Sequence, residues 1–193
     1  VIAMAPTQTN QDVAIDMYHR LGDAFDGPIM LQNAGGYAPL TGEQIATLVE
    51  TVPHIDYIKE ERQPGPRHIA EVRDLVGDKV KTIFGGAGGR FLRRGADGCM
   101  PACEFGDILA RFYDLWWDGD ENAARALHRR LLPLINLENH AFFRYILQLR
   151  GAMSSMTVRA PGPTLDAADC EEISILLQAL DAEDVCADYP FSD

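Results

Sequence analysis

Lys59 closes the run His54-Ile55-Asp56-Tyr57-Ile58-Lys59-Glu60-Glu61, which otherwise reads as a buried β-strand. The chain holds only three lysines, and the other two, Lys79 and Lys81, fall in a polar turn where a solvated charge needs no special account. An ammonium at an apolar strand end loses hydration, which favours the neutral amine, and a neutral amine attacks carbonyl carbon to give an imine. The competing reading is a snorkelling or ion-paired lysine with no chemistry. Side-chain alternation sets Lys59 and Glu61 on one face and Glu60 on the other, so Glu61 is the carboxylate placed to exchange protons beside the amine. Its own competing role is an ion pair with Arg62 or Arg67.

Four other strand-like runs end in segments that would share a mouth with this lysine: Ala5-Pro6-Thr7-Gln8, Leu31-Gln32-Asn33-Ala34, Phe84-Gly85-Gly86-Ala87-Gly88-Gly89 and Met100-Pro101-Ala102-Cys103. The glycine run lacks both the Lys-Ser/Thr ending of a phosphate loop and the spacing of a dinucleotide fingerprint, so its simplest use is close backbone approach to a ligand or a neighbouring strand. Cys99, Cys103, Cys170 and Cys186 form none of the close pairs of zinc or redox motifs, and the five histidines show no metal-binding spacing. They read as reduced thiols with no metal site, and no cofactor is called for. Cys99 and Cys103, four apart in a strand-like stretch, are expected on one buried face.

The composition narrows the partners. With 193 residues, of which 47% are hydrophobic and 24% charged, the chain can bury an ordinary core. A net charge of −12 argues against nucleic acid or an anionic membrane surface, which need clustered Lys and Arg. No apolar run approaches the roughly 20 residues of a membrane span, and the first residues have no secretory-leader pattern, so a cytoplasmic protein is expected.

The elements that must position the mouth follow a nearly fixed step. Strand starts at Val1, Ile29, Ile55, Thr82 and Gly98 are separated by 28, 26, 27 and then 16 residues, the form of successive βα units. Helices are predicted over Gln11 to Phe25, over Thr41 to Val52 with Thr41 and Gln44 as a capping box, and near His68 to Val76. Such units build either a doubly wound sheet or a (β/α) barrel, and both put chemistry at the carboxyl ends of the strands. Beyond Cys103 the pattern turns helical: Glu104 to Trp117, Asp120 to Arg150 with a kink or break at Pro133, and, after the Ala160-Pro161-Gly162-Pro163 linker, Asp166 to Leu180. Trp116 and Trp117 are expected to anchor helix packing.

These residues resemble the dihydrodipicolinate synthase and N-acetylneuraminate lyase family of Schiff-base aldolases. The match is carried by Pro28-Ile29-Met30-Leu31-Gln32-Asn33, by Tyr57-Ile58-Lys59-Glu60, by the Gly85-Gly86 strand end and by Gly95-Ala96-Asp97-Gly98-Cys99-Met100. The resemblance implies a (β/α)8 TIM barrel, α/β in class, of which this chain holds strands four to eight. Residues 1–118 would form the barrel part and 119–193 a helical extension. It further implies a lyase in which Lys59 forms an imine with pyruvate or another 2-keto acid. Asn33, Tyr37, Gly85, Gly86, Ala87 and Met100 would line the substrate pocket, and the protein would be a homodimer or homotetramer.

The sequence departs from the family at Gln32, which stands where the family has a proton-relaying tyrosine. An amide cannot shuttle protons as a phenol does, so Glu61, Tyr37 or a bound water is left for that work. Together with Pro133-Leu134-Ile135-Asn136-Leu137-Glu138-Asn139, the Gln-Asn strand end is more similar to the 2-keto-3-deoxy sugar acid dehydratase branch than to the pyruvate-condensing synthases. The expected chemistry is dehydration or aldol cleavage of such an acid, with synthase-type condensation of pyruvate and an aldehyde as the alternative. The count of strands leads to the expectation of a longer barrel, with an N-terminal section and a short loop near Phe91 missing. The reading from another class is a noncatalytic half barrel acting as a binding module.

Overall fold

The structure is a computed structural model that describes residues 1–6, 10–34, 39–137, 140–180 and 184–185. The chain divides into two compact units, Val1–Met100 and Pro101–Asp193.

The first unit alternates strand and helix: β1 (Ile2–Met4), α1 (Gln11–Ala24), β2 (Ile29–Asn33), α2 (Gly42–Thr51), β3 (Ile55–Glu60), α3 (Gly65–Val76), β4 (Thr82–Gly85), α4 (Gly89–Leu92) and β5 (Gly98–Cys99). The helix signals in the sequence act as read: Asn10 caps α1, and Thr41 with Gln44 closes a reciprocal capping box on α2. All neighbouring strands pair in parallel in the order β1-β2-β3-β4-β5. A doubly wound sheet reverses its strand order part-way, whereas a barrel wall adds each strand beside the last. The unbroken order is that of a TIM-barrel wall.

The two faces of this sheet differ. Ile29, Leu31, Ile58 and Ile83 are fully buried in one cluster with Ala14 and Tyr18 of α1, Ile45 and Leu48 of α2, and Ile69, Val72 and Val76 of α3. Each such side chain contributes about 1.5–3 kcal/mol by leaving water, and together they fix which face of each strand meets the helices. Alternation then puts Met30, Gln32, Tyr57, Lys59, Thr82 and Phe84 on the other face, where all are half-buried.

The second unit is helical: α5 (Gly106–Trp117), α6 (Glu121–Ile135), α7 (His140–Leu149) and α8 (Ala167–Leu177). Arg150 grips the Asp107 carboxylate with both ends of its guanidinium, and Arg130 pairs with the buried Asp184. The long helical stretch predicted over Asp120 to Arg150 is divided at the proline segment, as expected: Pro133 lies in the last turn of α6, which ends at Ile135, and α7 starts at His140. The structure corrects two local expectations. Trp116 is buried, but Trp117 is 62% exposed, since adjacent helix positions point about 100° apart. β5 stops at Cys99, and Cys103 opens a short 3-10 turn with its side chain exposed, so strand alternation never relates the two cysteines. Thr7, Gln8, Tyr37, Glu138, Asn139 and Cys186 lie outside the described residues. Among the described residues no helix is long and apolar enough to cross a membrane.

Candidate active site

β2, β3 and β4 run in register so that Gln32, Lys59 and Phe84 form one row across the sheet, on the face turned from the helices. The Lys59 side chain is 14% exposed, and its Nζ reaches Glu61 Oε1 at 3.0 Å. The other oxygen, Oε2, accepts a hydrogen bond from Gln32 Nε2 at 2.6 Å. One carboxylate thus joins the amine and the amide, with its own backbone fixed by the Glu61 N–H donating to Asn33 O at 2.9 Å. The pairing of Glu61 with Arg62 or Arg67 weighed from the sequence does not form; Arg62 turns instead to Glu71, 3.7 Å away.

The opposite side of the same strand ends carries a second polar network. Glu60 is 1% exposed; its Oε2 accepts from Asn33 Nδ2 at 2.7 Å and its Oε1 from the Arg62 N–H at 2.8 Å. Burial pushes the Glu60 carboxyl above its ordinary range, against the bonds from Asn33 and Arg62 N–H and the charges of Arg62 and His68. Asn33 also donates to Leu40 O at 3.0 Å and accepts from Leu40 N at 2.8 Å. Its amide is committed to tying the strand end to the segment before α2, and it lies on the helix side, away from Lys59. Arg62 donates to Leu40 O, and His68 meets both Arg62 and Glu71 through Nδ1. At Glu71 desolvation works upward, but the His68 and Gly42 N–H bonds with the Arg62 charge outweigh it and hold the carboxyl below its ordinary range.

The sequence does not single out this network. Its one signal is Glu60 itself, a carboxylate at an alternation position where the strand is otherwise apolar. Tyr18 is equally silent in the sequence: it is 1% exposed, and its hydroxyl donates to Ala3 O at 2.7 Å, with Gln32 O at 3.4 Å. Desolvation raises its pKa, so it serves as a neutral donor bracing the backbone beneath Gln32.

At the end of β4 the glycines are not bare. A side-chain carbon at Gly86 would stand 2.7 Å from Phe91 Cζ, and one at Gly85 3.0 Å from Phe91 Cδ1. The Phe91 ring fills these positions, packed beside Ile69 against the buried cluster on the helix side. Gly88 takes φ +111°, a conformation that favours glycine, and starts α4, which returns Phe91 onto the strand end. Ala87 is half-buried in the intervening bend, and Met100 is 39% exposed at the far end of the unit. Among the described residues no three His, Cys, Asp or Glu side chains stand close enough to hold a metal ion.

No family model and no curated protein matches this chain. Solved structures do. The dihydrodipicolinate synthase of Rhodopseudomonas palustris superposes with a TM-score of 0.82 and 26% identity, over 93% of this chain and 65% of that one. YagE, a prophage protein of the dihydrodipicolinic acid synthase family from E. coli K12 solved in complex with pyruvate, gives 0.77 and 22% over 92% and 64%. The Aquifex aeolicus dihydrodipicolinate synthase gives 0.81 and 14% over 100% and 67%. The chain spans 65% of the length of the first of these relatives and 64% of the second.

Proposed function

Given a chain that carries the fold of the dihydrodipicolinate synthase family, we propose that the protein is a lyase acting on a 2-keto acid through an imine on Lys59. The observation that carries this reading is the 3.0 Å contact of Lys59 with a carboxylate that Gln32 holds from its other side. The Lys59 ammonium passes a proton to Glu61, and the free amine attacks the keto carbon. A nitrogen–carbon bond forms and the carbonyl oxygen leaves as water. The protonated imine then takes up the electron pair released when a carbon–carbon bond breaks, or when a proton leaves C3 before a hydroxyl departs from C4. Glu61 is the acid and base for these proton movements, in the place of a phenol. Gln32, a neutral donor to Glu61 Oε2, orients the carboxylate and moves no proton.

Within this reading the substrate class is a 2-keto-3-deoxy sugar acid, undergoing dehydration or aldol cleavage. Support comes from Gln32 in the row of Lys59, where an amide suits hydroxyl groups as donor and acceptor. Asn33 is assigned a positioning role rather than a substrate contact, because its amide is engaged by Glu60 and Leu40.

The test is borohydride trapping with pyruvate and with 2-keto-3-deoxy sugar acids, followed by peptide mass spectrometry across Asp56 to Arg62. A reduced adduct on Lys59 supports the imine, and the ligand trapped at lowest concentration identifies the class. Folded protein that gives no adduct with any of them overturns the reading in favour of a binding module.

A further inference from the structure

Register carries the row of Lys59 across the whole sheet, as Met4, Gln32, Lys59, Phe84 and Gly98. The imine chemistry uses Gln32 and Lys59 and leaves Phe84 without a task. The direction of Phe84 follows from the residues on either side of it. Ile83 is fully buried in the helix-side cluster, and a Cβ at Gly85 would stand 3.2 Å from Ile69 Cδ1 of α3. Both flanking positions therefore face the helices, and Phe84 between them shares the open face with Lys59, where it is half-buried.

The ring spans two strand positions. A Cβ at Gly98 would stand 3.7 Å from both Cδ1 and Cε1 of Phe84, an ordinary contact distance, so the ring lies over the place that Gly98 leaves without a side chain. With strands about 4.8 Å apart, the backbones of Gln32 and Phe84 stand about 10 Å apart with Lys59 between them. The lysine stem leaves the sheet through that slot, and its Nζ turns toward Glu61 at the strand end. A molecule held by its keto carbon on Nζ thus has the Gln32 amide, joined to Glu61 at 2.6 Å, on one side and an apolar ring on the other.

We propose that Phe84 is a specificity-determining residue of the Lys59 site: its ring narrows the space at the carbon next to the imine, so that the site takes 2-keto acids whose C3 is an unbranched methylene and rejects those substituted there. The proposal rests on the imine reading above and deepens it. In the imine C2 is bonded to Nζ and C3 lies one bond further, so a substituent on C3 projects toward the Gln32–Glu61 pair or toward Phe84. On the first side it would wedge apart a hydrogen-bonded pair, and on the second it would meet a ring that has the Gly98 backbone behind it. An acid that is deoxy at C3 brings no such group, and its methylene lies against the ring.

The experiment compares 2-oxobutanoate with 3-methyl-2-oxobutanoate, which differ by one methyl on C3, by the concentration of each that gives half-maximal borohydride trapping on Lys59. The same pair trapped on Nα-acetyl-lysine supplies the preference of a free amine, and pyruvate establishes the competence of Lys59. The wild-type protein should favour 2-oxobutanoate by about tenfold more than the free amine does, the low end of what one methylene is worth in a pocket. Phe84→Ala should bring the preference close to that of the free amine, and Phe84→Leu, which keeps an apolar filling in case the alanine variant does not fold, should lower it part of the way. A wild-type preference equal to that of the free amine, or one unmoved in whichever variant folds, overturns this assignment alone. Loss of the pyruvate adduct in a folded variant would make Phe84 a support of Lys59 rather than a selector, and overturns it likewise. Absence of any pyruvate adduct in the wild type overturns it together with the imine reading.

Discussion

Asn33 and Glu60 are register partners on β2 and β3, and their side chains meet at 2.7 Å on the helix side, while one residue away on each strand end Gln32 and Glu61 meet at 2.6 Å on the other side. The two strand ends are thus joined twice, once through each face. The pair on the helix side is buried and structural, and the pair on the open face holds the amine. Because β-strand alternation separates adjacent residues so cleanly, two neighbouring carboxylates take unrelated jobs.

Replacing the amine tests the open-face pair first. Lys59→Arg preserves a cation beside Glu61 but offers no nucleophilic amine, since a guanidinium stays protonated. We expect a folded protein with unchanged thermal stability to within about 1 kcal/mol, the ordinary worth of a partly exposed ion pair. No borohydride adduct should form. An adduct elsewhere in the chain, seen by peptide mass spectrometry, would refute the assignment of Lys59.

Glu61→Gln keeps the size and the contact to Lys59 but removes the group that accepts a proton. Turnover of the best-trapped substrate should fall by about 10²–10⁴ in kcat with a smaller change in KM, as for loss of a general acid–base group. Gln32→Leu, which removes only the hold on Glu61 Oε2, should produce a milder loss of kcat. Steady-state kinetics of the two variants decides the point, and equal losses would contradict a split between mover and holder of the proton.

The buried pair predicts stability. Asn33→Ala deletes three hydrogen bonds and leaves Glu60 Oε2 and Leu40 N without a partner, while Leu40 O keeps its bond from Arg62. At about 1–3 kcal/mol for each buried group left unsatisfied, a loss of at least about 2 kcal/mol is expected by chemical denaturation. A loss below about 0.5 kcal/mol, the scale of a surface substitution, would mean that water replaces the amide.

How much of this is legible in the chain follows from the range of each interaction. The strand starts, the Thr41–Gln44 box and the opposition of Glu60 to Glu61 depend on neighbours within a few residues, and the sequence displays them. The identity of Asn33 as the partner of Glu60 depends on β2–β3 register across 27 residues, which nothing local records. Glu61 is open, in the sequence, to pairing with Arg62 or Arg67; α3 instead brings Glu71 to Arg62. The Gly85-Gly86 segment reads as open backbone, because the ring that fills it arrives only when α4 folds back.

Glu60 also sets a dependence on pH. Its carboxyl is raised above the ordinary 4.5 mainly by burial, so the folded state holds this proton more tightly than the unfolded chain does. Where the native state binds more protons, stability falls as pH rises. The protonated form therefore contributes stability that is fully present below about 4.5 and is lost as pH climbs through the folded value. Glu60→Gln carries no such proton, so its deficit relative to wild type should be largest in acid and shrink toward neutrality. Denaturation midpoints of both proteins from about pH 4 upward test this, and a gap that widens with pH would reverse the sign.

The cradle of Phe91 can be tested as packing, apart from any substrate. In Gly86→Ala the new methyl would stand 2.7 Å and 2.8 Å from two ring carbons, closer than real contacts allow, so the ring or α4 must move. Overpacking of this kind costs about 1–3 kcal/mol. In a Phe91→Leu background the ring atoms that collide are gone, and the same alanine should cost less. The two substitutions therefore couple, with an interaction energy of about 0.5–3 kcal/mol from a double-mutant cycle in denaturant. Strict additivity would mean that Phe91 does not rest on Gly86 in solution.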